Sequence, residues 1–280
     1  MAEITGTLPL PDQDRRIFDK LQIQSETAKV GVNPEGGYIT SWQVKNPQGD
    51  FEDILYRGSN IRRTGIPTLF PYYGEGGDKG DNHGFGRNSM WTIDTEKSTG
   101  KKVVMKLSSE QISLEAKEKY PYPFDAEITI EVGEDGSLVY SLHVANKGQE
   151  NLPLSPGLHP YWAVSHKDKS AITIKSMEGF DAKSVDWEQN PPDNVFPYKG
   201  KTAISFPGKD ISIEDITENG PVVEYLVVWS QTPQKDDFNF VCVEPVCGND
   251  NDINNNPILV KPNESWNMRI RFSATFDPAG

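Results

Sequence analysis

Short runs that alternate apolar and polar residues recur along the chain, and the 3.6-residue periodicity of helices is nearly absent. The clearest case is a pair of runs at 126–132 and 137–144, joined by Gly133-Glu134-Asp135-Gly136. A period of two is typical of strands with one buried face, and Asp-Gly tolerates the positive φ of a tight turn. We therefore predict a β-hairpin at this position. The same pattern predicts further strands at 102–107, 111–117, 171–174, 203–206, 222–229, 240–243, 258–260 and 266–276.

This set of short strands predicts an all-β fold, a large sandwich of antiparallel sheets. The sequence shows no internal repeat and no linker long enough to divide it, so we expect a single domain over residues 1–280. We expect residues 1–20 to form an N-terminal arm or an edge strand. The segment 186–201 is rich in proline and charge, and 249–256 is an Asn/Asp tract. Both are interpreted as loops that leave the domain surface.

Composition and charge narrow the classes of partner. The 280 residues carry a formal net charge of −13, which argues against nucleic acid and anionic membranes. No run approaches the ~20 apolar residues of a membrane span. Residues 1–14 lack a basic segment followed by an apolar one, so we expect no secretory signal and a cytoplasmic protein. The two cysteines, Cys242 and Cys247, are too few for a disulfide scaffold and are expected to be reduced thiols.

A histidine and a glutamate stand out as candidates for proton chemistry. His159 lies in the run 154–162, which contains two prolines and a glycine, and such a run cannot be a regular helix or strand interior. Glu244 follows the apolar run 240–243 and precedes Pro245, so it is expected at the end of a buried strand. A buried acid is costly unless something pairs with it or uses it. The alternatives are a loop histidine that caps a turn and a carboxylate paired with an arginine.

Two further segments combine conformational constraint with basic residues. In 81–91, two glycines flank Phe85, and His83 and Arg87 bracket it. In 62–74, Arg62 and Arg63 precede a segment rich in glycine, proline and aromatic residues. Three arginines in constrained loops of an acidic protein are candidates for binding an array of sugar hydroxyls or a phosphate.

Four motifs in order connect the chain to a known family. They are Arg63-x-Gly65-Ile66-Pro67 with Phe70-Pro71, then His83-Gly84-Phe85-Gly86-Arg87-Asn88, then Gly157-Leu158-His159-Pro160-Tyr161, and finally Cys242-Val243-Glu244-Pro245. Together they resemble the aldose 1-epimerase (mutarotase) superfamily, most closely its glucose-6-phosphate 1-epimerase-like branch, from about residue 31 to the C-terminus. The resemblance implies a galactose mutarotase-like β-supersandwich with a sugar site on one concave face.

The resemblance also implies an isomerase that interconverts the α and β anomers of a hexose or hexose 6-phosphate. Glu244 would be the general base at the anomeric hydroxyl O1, and His159 the general acid at the ring oxygen O5. His83 would hydrogen-bond the substrate near the reacting atoms. Arg63 and Arg87 would bind substrate, through a 6-phosphate in the branch named above. Neither a metal nor an organic cofactor is implied, because the reaction has no redox or carbanion step.

Two further binding residues are expected, an aspartate and a tryptophan. The family has a sugar-binding aspartate between the catalytic histidine and glutamate, for which Asp186 is the candidate, with Asp181 and Asp237 as alternatives. Trp162, next to the His159 segment, is a candidate for stacking on the sugar, and the alternatives are a place in the core or in the pocket wall.

Other functions remain open at this point. A non-catalytic carbohydrate-binding or regulatory module on the same fold would need the arginines and aromatic residues but neither His159 nor Glu244. Another sugar-modifying activity would require additional acid or base residues. The Asn249–Asp252 tract invites a calcium site, yet it lacks the glycine and distal glutamate of an EF-hand and is interpreted as an exposed loop. The expected assembly is a monomer or weak dimer.

Overall fold

The structure is a computed structural model, and it describes residues 18–59, 61–175 and 177–277. Most of the predicted N-terminal arm therefore lies outside the described residues. The strands in chain order are β1 (Leu21–Gln24), β2 (Ala28–Asn33), β3 (Tyr38–Lys45), β4 (Phe51–Asp53), β5 (Thr68–Leu69), β6 (Thr92–Ile93), β7 (Lys102–Ser108), β8 (Phe124–Val132), β9 (Leu138–Asn146), β10 (Leu152–Leu154), β11 (Gly157–Leu158), β12 (Tyr161–Ala163), β13 (Thr173–Ile174), β14 (Asp193–Pro197), β15 (Lys201–Phe206), β16 (Lys209–Asp215), β17 (Tyr225–Trp229), β18 (Phe240–Val246), β19 (Ile258–Val260) and β20 (Ser265–Phe276). The helices are α1 (Leu114–Lys119) and α2 (Asp252–Asn255), and 3₁₀ turns lie at Ile61–Arg63, Gly77–Lys79, Gly86–Asn88 and His166–Ala171.

Two large antiparallel sheets dominate the described residues, which confirms the all-β expectation. An eight-stranded sheet has the order β13-β15-β16-β20-β9-β8-β7-β6. A six-stranded sheet has the order β14-β17-β18-β11-β5, and β12 also pairs with β18. A four-stranded sheet, β1-β2-β3-β4, and the β10-β19 pair complete the set. None of the described helices is both long and apolar enough to cross a membrane.

The core lies between the two large sheets, and strand alternation decides what enters it. Successive side chains of a strand point to opposite faces. In β18, Val241 and Val243 join the main buried cluster, whereas Cys242 and Glu244 point to the opposite face. The Trp162 ring of β12 packs 5.6 Å from the Phe272 ring of β20 and so links the two sheets. The outer face of the six-stranded sheet is therefore free to form a site.

The predicted hairpin is confirmed. β8 and β9 pair antiparallel with Val132 opposite Leu138, and Gly136 of the connecting turn has φ 80°. The Gly133 N–H donates to the Ser137 carbonyl at 2.8 Å, which closes the turn. The alternating burial of β8 matches its alternating sequence, with the apolar side chains facing the core.

One predicted strand is wrong, and two segments differ from expectation. Most of 111–117 leads into or forms α1, because Leu-Glu-Ala-Lys-Glu-Lys favours a helix and Ser113 caps it by accepting the Ala116 N–H at 3.1 Å. The segment 186–201, expected to be a loop, contains the edge strand β14. The Asn/Asp tract at 249–256 contains the short helix α2.

Strand β18 also continues further than expected, through Pro245 to Val246, so Glu244 lies inside the strand and not at its end. Proline is tolerated in this position for a topological reason. The Cys247 N–H donates to the Pro156 carbonyl on the β11 side, so the missing N–H of Pro245 faces that same side. On that side, β11 and β12 pair with β18 on either side of a gap, and Pro245 lies next to this gap. Its missing N–H therefore removes no backbone hydrogen bond from the sheet.

Candidate active site

A cleft of about 700 Å³ lies on the outer face of the six-stranded sheet. The β14, β17 and β18 strands form its floor, and the loops that follow β4, β5 and β18 form its rim. Its size is within the range of small-molecule sites in proteins. The lining residues are Arg62, Arg63, Tyr73, Gly74, Glu75, Asn82, His83, Arg87, His159, Asp193, Val195, Val227, Trp229, Glu244 and Asp250.

His159 and Glu244 meet at the bottom of this cleft, where Nε2 of His159 lies 3.4 Å from Oε1 of Glu244. Backbone register brings them together. Tyr161 pairs with Cys242 in one ladder and Gly157 with Val246 in the next, so the same register places His159 opposite Glu244 at the interruption between them. Residues directly opposite on neighbouring antiparallel strands are close enough for their side chains to interact. On its other side, Glu244 pairs with Val227 of β17.

Three aromatic neighbours fix the imidazole of His159. Its ring is stacked on Tyr161 at 4.6 Å and 8°, and it meets the rings of His83 and Trp229 edge-on, each at 5.7 Å. The side chains of His159 and Glu244 are 7% and 2% exposed. Within the described structure, Nδ1 of His159 and Oε2 of Glu244 have no hydrogen-bond partner. The pair is therefore firmly packed, nearly inaccessible and incompletely satisfied in its hydrogen bonds.

Burial shifts the two pKa values in opposite directions. Desolvation, assisted by the charge of Asp193 and opposed by Arg87, raises the pKa of Glu244 well above 4.5. Desolvation, with contributions from His83, Arg87 and Arg63, lowers the pKa of His159 well below 6.5. Two groups this close titrate as a unit, so over a wide pH window the pair holds one proton. That proton lies on Glu244 in the neutral form and on His159 in the ion-pair form.

His83 presents a hydrogen-bond donor to the cleft. Its backbone has φ 67°, its N–H donates to the Gly74 carbonyl at 2.7 Å, and its Nδ1 accepts the Gly74 N–H at 3.0 Å. Burial, with the charges of Arg87 and Arg63, lowers the pKa of His83 from 6.5 to about 3. A neutral imidazole that accepts at Nδ1 carries its proton on Nε2. His83 is thus fixed as a donor at neutral pH.

The arginines form a positive wall of the cleft. Arg63 donates through Nη1 to the Tyr161 hydroxyl at 3.2 Å, and its guanidinium lies 4.9 Å from the centre of the Trp229 ring. Arg87 donates through Nη2 to the Asn82 carbonyl at 2.9 Å, which leaves other N–H groups for a ligand. Arg62 is exposed and also lines the cleft. All three arginines line the same cavity, although the chain as a whole has a net charge of −13.

Trp162 is the first of two expected binding residues that the structure places elsewhere. It is completely buried in the core, because alternation along β12 points Tyr161 to the cleft and Trp162 to the opposite face. Its neighbour Tyr161 is the ring that packs against His159.

Asp186 is the second correction. It is exposed in a turn, where its Oδ1 accepts the N–H groups of Glu188 and Gln189, and it does not line the cleft. Of the alternatives, Asp181 likewise caps a turn by accepting the Lys183 N–H. Asp237 accepts hydrogen bonds from Tyr56 and Ser59 and ties two loops together. None of the three aspartates contributes to the lining.

The carboxylates that do line the cleft are Asp193, Asp250 and Glu75. Asp193 begins the edge strand β14, pairs with Trp229, and raises the pKa of Glu244 through its charge. Asp250 Oδ1 accepts the Glu75 N–H at 2.7 Å, which joins two rim loops. The strand pattern of 193–197 was the only available sequence signal for Asp193, and its flanking prolines and charges concealed it.

Comparison with known proteins assigns the chain to a class. The sequence profile of the aldose 1-epimerase family matches residues 19–273, so the chain belongs to this family. The resemblance carried by the four motifs is thereby confirmed. A similar curated protein, from Cenchrus ciliaris, is named "Putative glucose-6-phosphate 1-epimerase" and is 28% identical over 280 residues, covering 85% of this chain and 79% of that protein.

Solved structures show the same fold. The Slr1438 protein of Synechocystis sp. PCC 6803 is 20% identical with a TM-score of 0.76, covering 97% of this chain and 100% of that one. A galactose mutarotase related enzyme from Lactobacillus acidophilus is 20% identical with a TM-score of 0.69, covering 92% and 99%. At these identities the likeness concerns the fold alone, and it confirms the galactose mutarotase-like sandwich.

Proposed function

We propose that the protein is a mutarotase that interconverts the α and β anomers of a hexose or hexose 6-phosphate. The observation that carries this proposal is the His159–Glu244 pair, 3.4 Å apart at the bottom of a cleft. Ring opening of a hemiacetal requires a base at O1 and an acid at O5. Because both oxygens are bonded to C1, they lie closer together than the two protein atoms do. One acid and one base side by side can therefore serve both.

The proton balance of the reaction matches a pair that holds one proton. In the ion-pair form, Glu244 takes the proton from O1–H, the C1–O5 bond breaks, and His159 delivers its proton to O5. The products are the open-chain aldehyde and the neutral pair. Rotation about C1–C2 presents the other face of the carbonyl. Return of both protons then closes the ring as the other anomer, and no external proton or electron is consumed.

Burial affects which form of the pair is populated. Desolvation disfavours the ion pair, so the neutral form that remains after ring opening is the stable one, and the ion-pair form that starts the step is the minor one. The donor at His83 Nε2 is available to stabilise developing charge on a substrate oxygen. Each acid or base group of this kind typically contributes on the order of 10²–10⁴ in rate.

Because only the one-proton form of the pair is competent, kcat/KM should follow a bell-shaped pH profile. The acid limb should lie below 6.5, since the pKa of His159 is lowered by burial, and the alkaline limb well above 4.5, since that of Glu244 is raised. Anomer exchange measured by NMR against buffer alone tests this. A profile whose acid limb lies at or above 6.5 would contradict the assignment.

The arginine wall supports a 6-phosphate as the preferred anionic group. Replacement of Arg63 or Arg87 by Ala should raise KM roughly 10–100-fold for glucose 6-phosphate and much less for glucose, because each removes charge-assisted hydrogen bonds. Arg271→Ala, on the exposed face of β20, is the control with the same charge change. An equal increase in KM for neutral and phosphorylated sugars would show that the arginines bind hydroxyl groups instead of a phosphate.

A non-catalytic carbohydrate-binding module on the same fold is the competing function. It would bind sugar through the same arginines and rings without needing a proton-sharing pair. Polarimetry or NMR on α-glucose, α-galactose and glucose 6-phosphate separates the two. Exchange no faster than in buffer for all three, together with saturable sugar binding, would favour the module.

A further inference from the structure

A third side chain that can bind a metal lies close to the pair at the bottom of the cleft, and the proposed reaction does not use it. One ligand atom each from His159, Cys242 and Glu244 lie within 4.8 Å of one another. All three residues are buried, Cys242 completely. Together they offer an imidazole nitrogen, a thiol sulfur and a carboxylate oxygen.

The fold explains why these three meet. Cys242 and Glu244 are two residues apart in β18 and so point to the same face. Cys242 pairs with Tyr161 on one side and Trp229 on the other, which encloses its thiol beneath the aromatic rings. His159 approaches from the neighbouring strand pair opposite Glu244. The cluster is thus built from backbone register and does not depend on flexible loops.

Two polar atoms of the cluster also lack a partner in the described part of the chain, although neither belongs to the contact between His159 Nε2 and Glu244 Oε1. Nδ1 of His159 and Oε2 of Glu244 are buried and, among the described residues, have no hydrogen-bond partner. Unsatisfied buried polar atoms are rare in folded proteins. Here they belong to two of the three clustered side chains, and both of these side chains line an open cleft.

We propose that His159, Cys242 and Glu244 form a binding site for a thiophilic divalent cation, Zn²⁺ above all, and that its occupation switches the pair off. Nitrogen, thiolate and carboxylate are the usual ligands of zinc, at about 2.0–2.3 Å. A tetrahedral ion with such bonds separates a nitrogen from an oxygen by about 3.4 Å, the distance found between His159 Nε2 and Glu244 Oε1. A shift of about 1 Å by the thiol completes three bonds and leaves the fourth position to water from the cleft.

Binding exchanges protons for the metal. The S–H bond of Cys242 breaks as the Zn–S bond forms, and its proton leaves to the buffer. The proton shared by His159 and Glu244 leaves as well, since both must offer a lone pair. With neither acid nor base available, zinc and sugar compete for the same two side chains. The competition rests on the proposed function, whereas the metal site itself does not.

Titration of the native protein with Co²⁺, followed by absorption spectroscopy, tests the site without reference to activity. A thiolate-to-cobalt charge-transfer band should appear, be displaced by Zn²⁺, and disappear in Cys242→Ala. Cys247→Ala is the matched control, because Cys247 is the second buried thiol and lies 3.7 Å from the Met268 sulfur, away from the cleft. It should keep the band. Cys242→Val, which refills more of the thiol's volume, guards against a packing defect in the alanine variant.

The second experiment measures the rate of anomer exchange with added Zn²⁺ and then with a chelator, which should reverse the inhibition. Zinc should inhibit native anomer exchange competitively with sugar. Cys242→Val should need more zinc by at least the roughly 10–100-fold that loss of a group outside the ligand set costs, because a direct ligand is removed. A band that persists without Cys242, or its absence in the native protein, overturns the metal site even if the enzyme is active. A cobalt–thiolate band in a protein that exchanges no sugar keeps the site and removes the proposed function.

Discussion

We expect the Glu244→Gln protein to exchange anomers about 10²–10⁴-fold more slowly than the native protein while it unfolds at a higher temperature. The amide keeps the shape of the side chain and can still donate to His159, but it cannot take a proton from O1. Since only the proton transfer is removed, sugar binding should change little. The effect should therefore appear in kcat, with KM nearly unchanged.

The gain in stability follows from the sign of the pKa shift. The folded-state pKa of Glu244 lies well above its unfolded value near 4.5, because burial penalises the carboxylate. Below the unfolded pKa both states are protonated and the residue has no effect. As pH rises through that value, the unfolded state gains by ionising, so the native protein loses stability until the folded pKa is passed. The glutamine protein should escape this loss.

Thermal unfolding of both proteins between pH 4 and pH 9 measures this difference. The curves should coincide in acid and diverge as pH increases, with the glutamine protein the more stable. Glu264→Gln, at an exposed position after β19, is the control and should change neither rate nor stability. A slow enzyme that is also less stable at alkaline pH would mean that the carboxylate of Glu244 is satisfied in the fold and not strained by burial.

His159→Ala should also slow anomer exchange by about 10²–10⁴-fold, for the complementary reason that no group can protonate O5. The loss in the double variant with Glu244→Gln should be close to that of either single variant, because the two groups act as one unit. The acid limb of the pH profile should vanish as well. His143→Ala is the control, since His143 is an exposed histidine of β9.

Rescue by added imidazole separates a chemical role for His159 from a structural one. The alanine protein has a space between the Tyr161, His83 and Trp229 rings, where the native imidazole packs. Imidazole entering from the cleft should restore part of the rate, and N-methylimidazole less. Unfolding of the variant, or a rate loss that imidazole leaves untouched while sugar binding disappears, would identify His159 as a packing residue.

The sequence predicted the catalytic candidates better than it predicted the residues that bind around them. His159 and Glu244 each carried a weak local signal, an imidazole in a proline-rich segment and an acid beside a buried run. The four motifs taken together selected them, and the structure brings them together. Asp193 carried only the strand pattern of 193–197, which does not predict its place in the cleft, because that place depends on β14 joining the edge of a sheet through distant partners. Asp186 lies only seven positions earlier but stays in a turn of its own.

The alternation of side chains between the two faces of a strand explains why Trp162 does not line the cleft. The sequence showed an aromatic pair beside His159 but not which of the two rings would face the cleft. The pairing of β12 with β18 decides this, since Tyr161 aligns with Cys242 and Trp162 with Val241. Similarly, α1 was mistaken for a strand because 111–117 has an apolar residue at alternate positions, although its capping serine and helix-forming composition favoured the other structure.

The gap in the hydrogen-bond ladder between β11 and β12 separates a segment whose length is fixed from loops whose lengths can change. The distance between the reacting groups depends on an uninterrupted count of residues from Gly157 to Tyr161, so one insertion there would turn the imidazole away from the carboxylate. The arginines and the acidic residues of the rim belong to other loops, whose lengths can change without altering that count. Descendants of such a protein can therefore change the sugar they accept while leaving the proton transfer as it is.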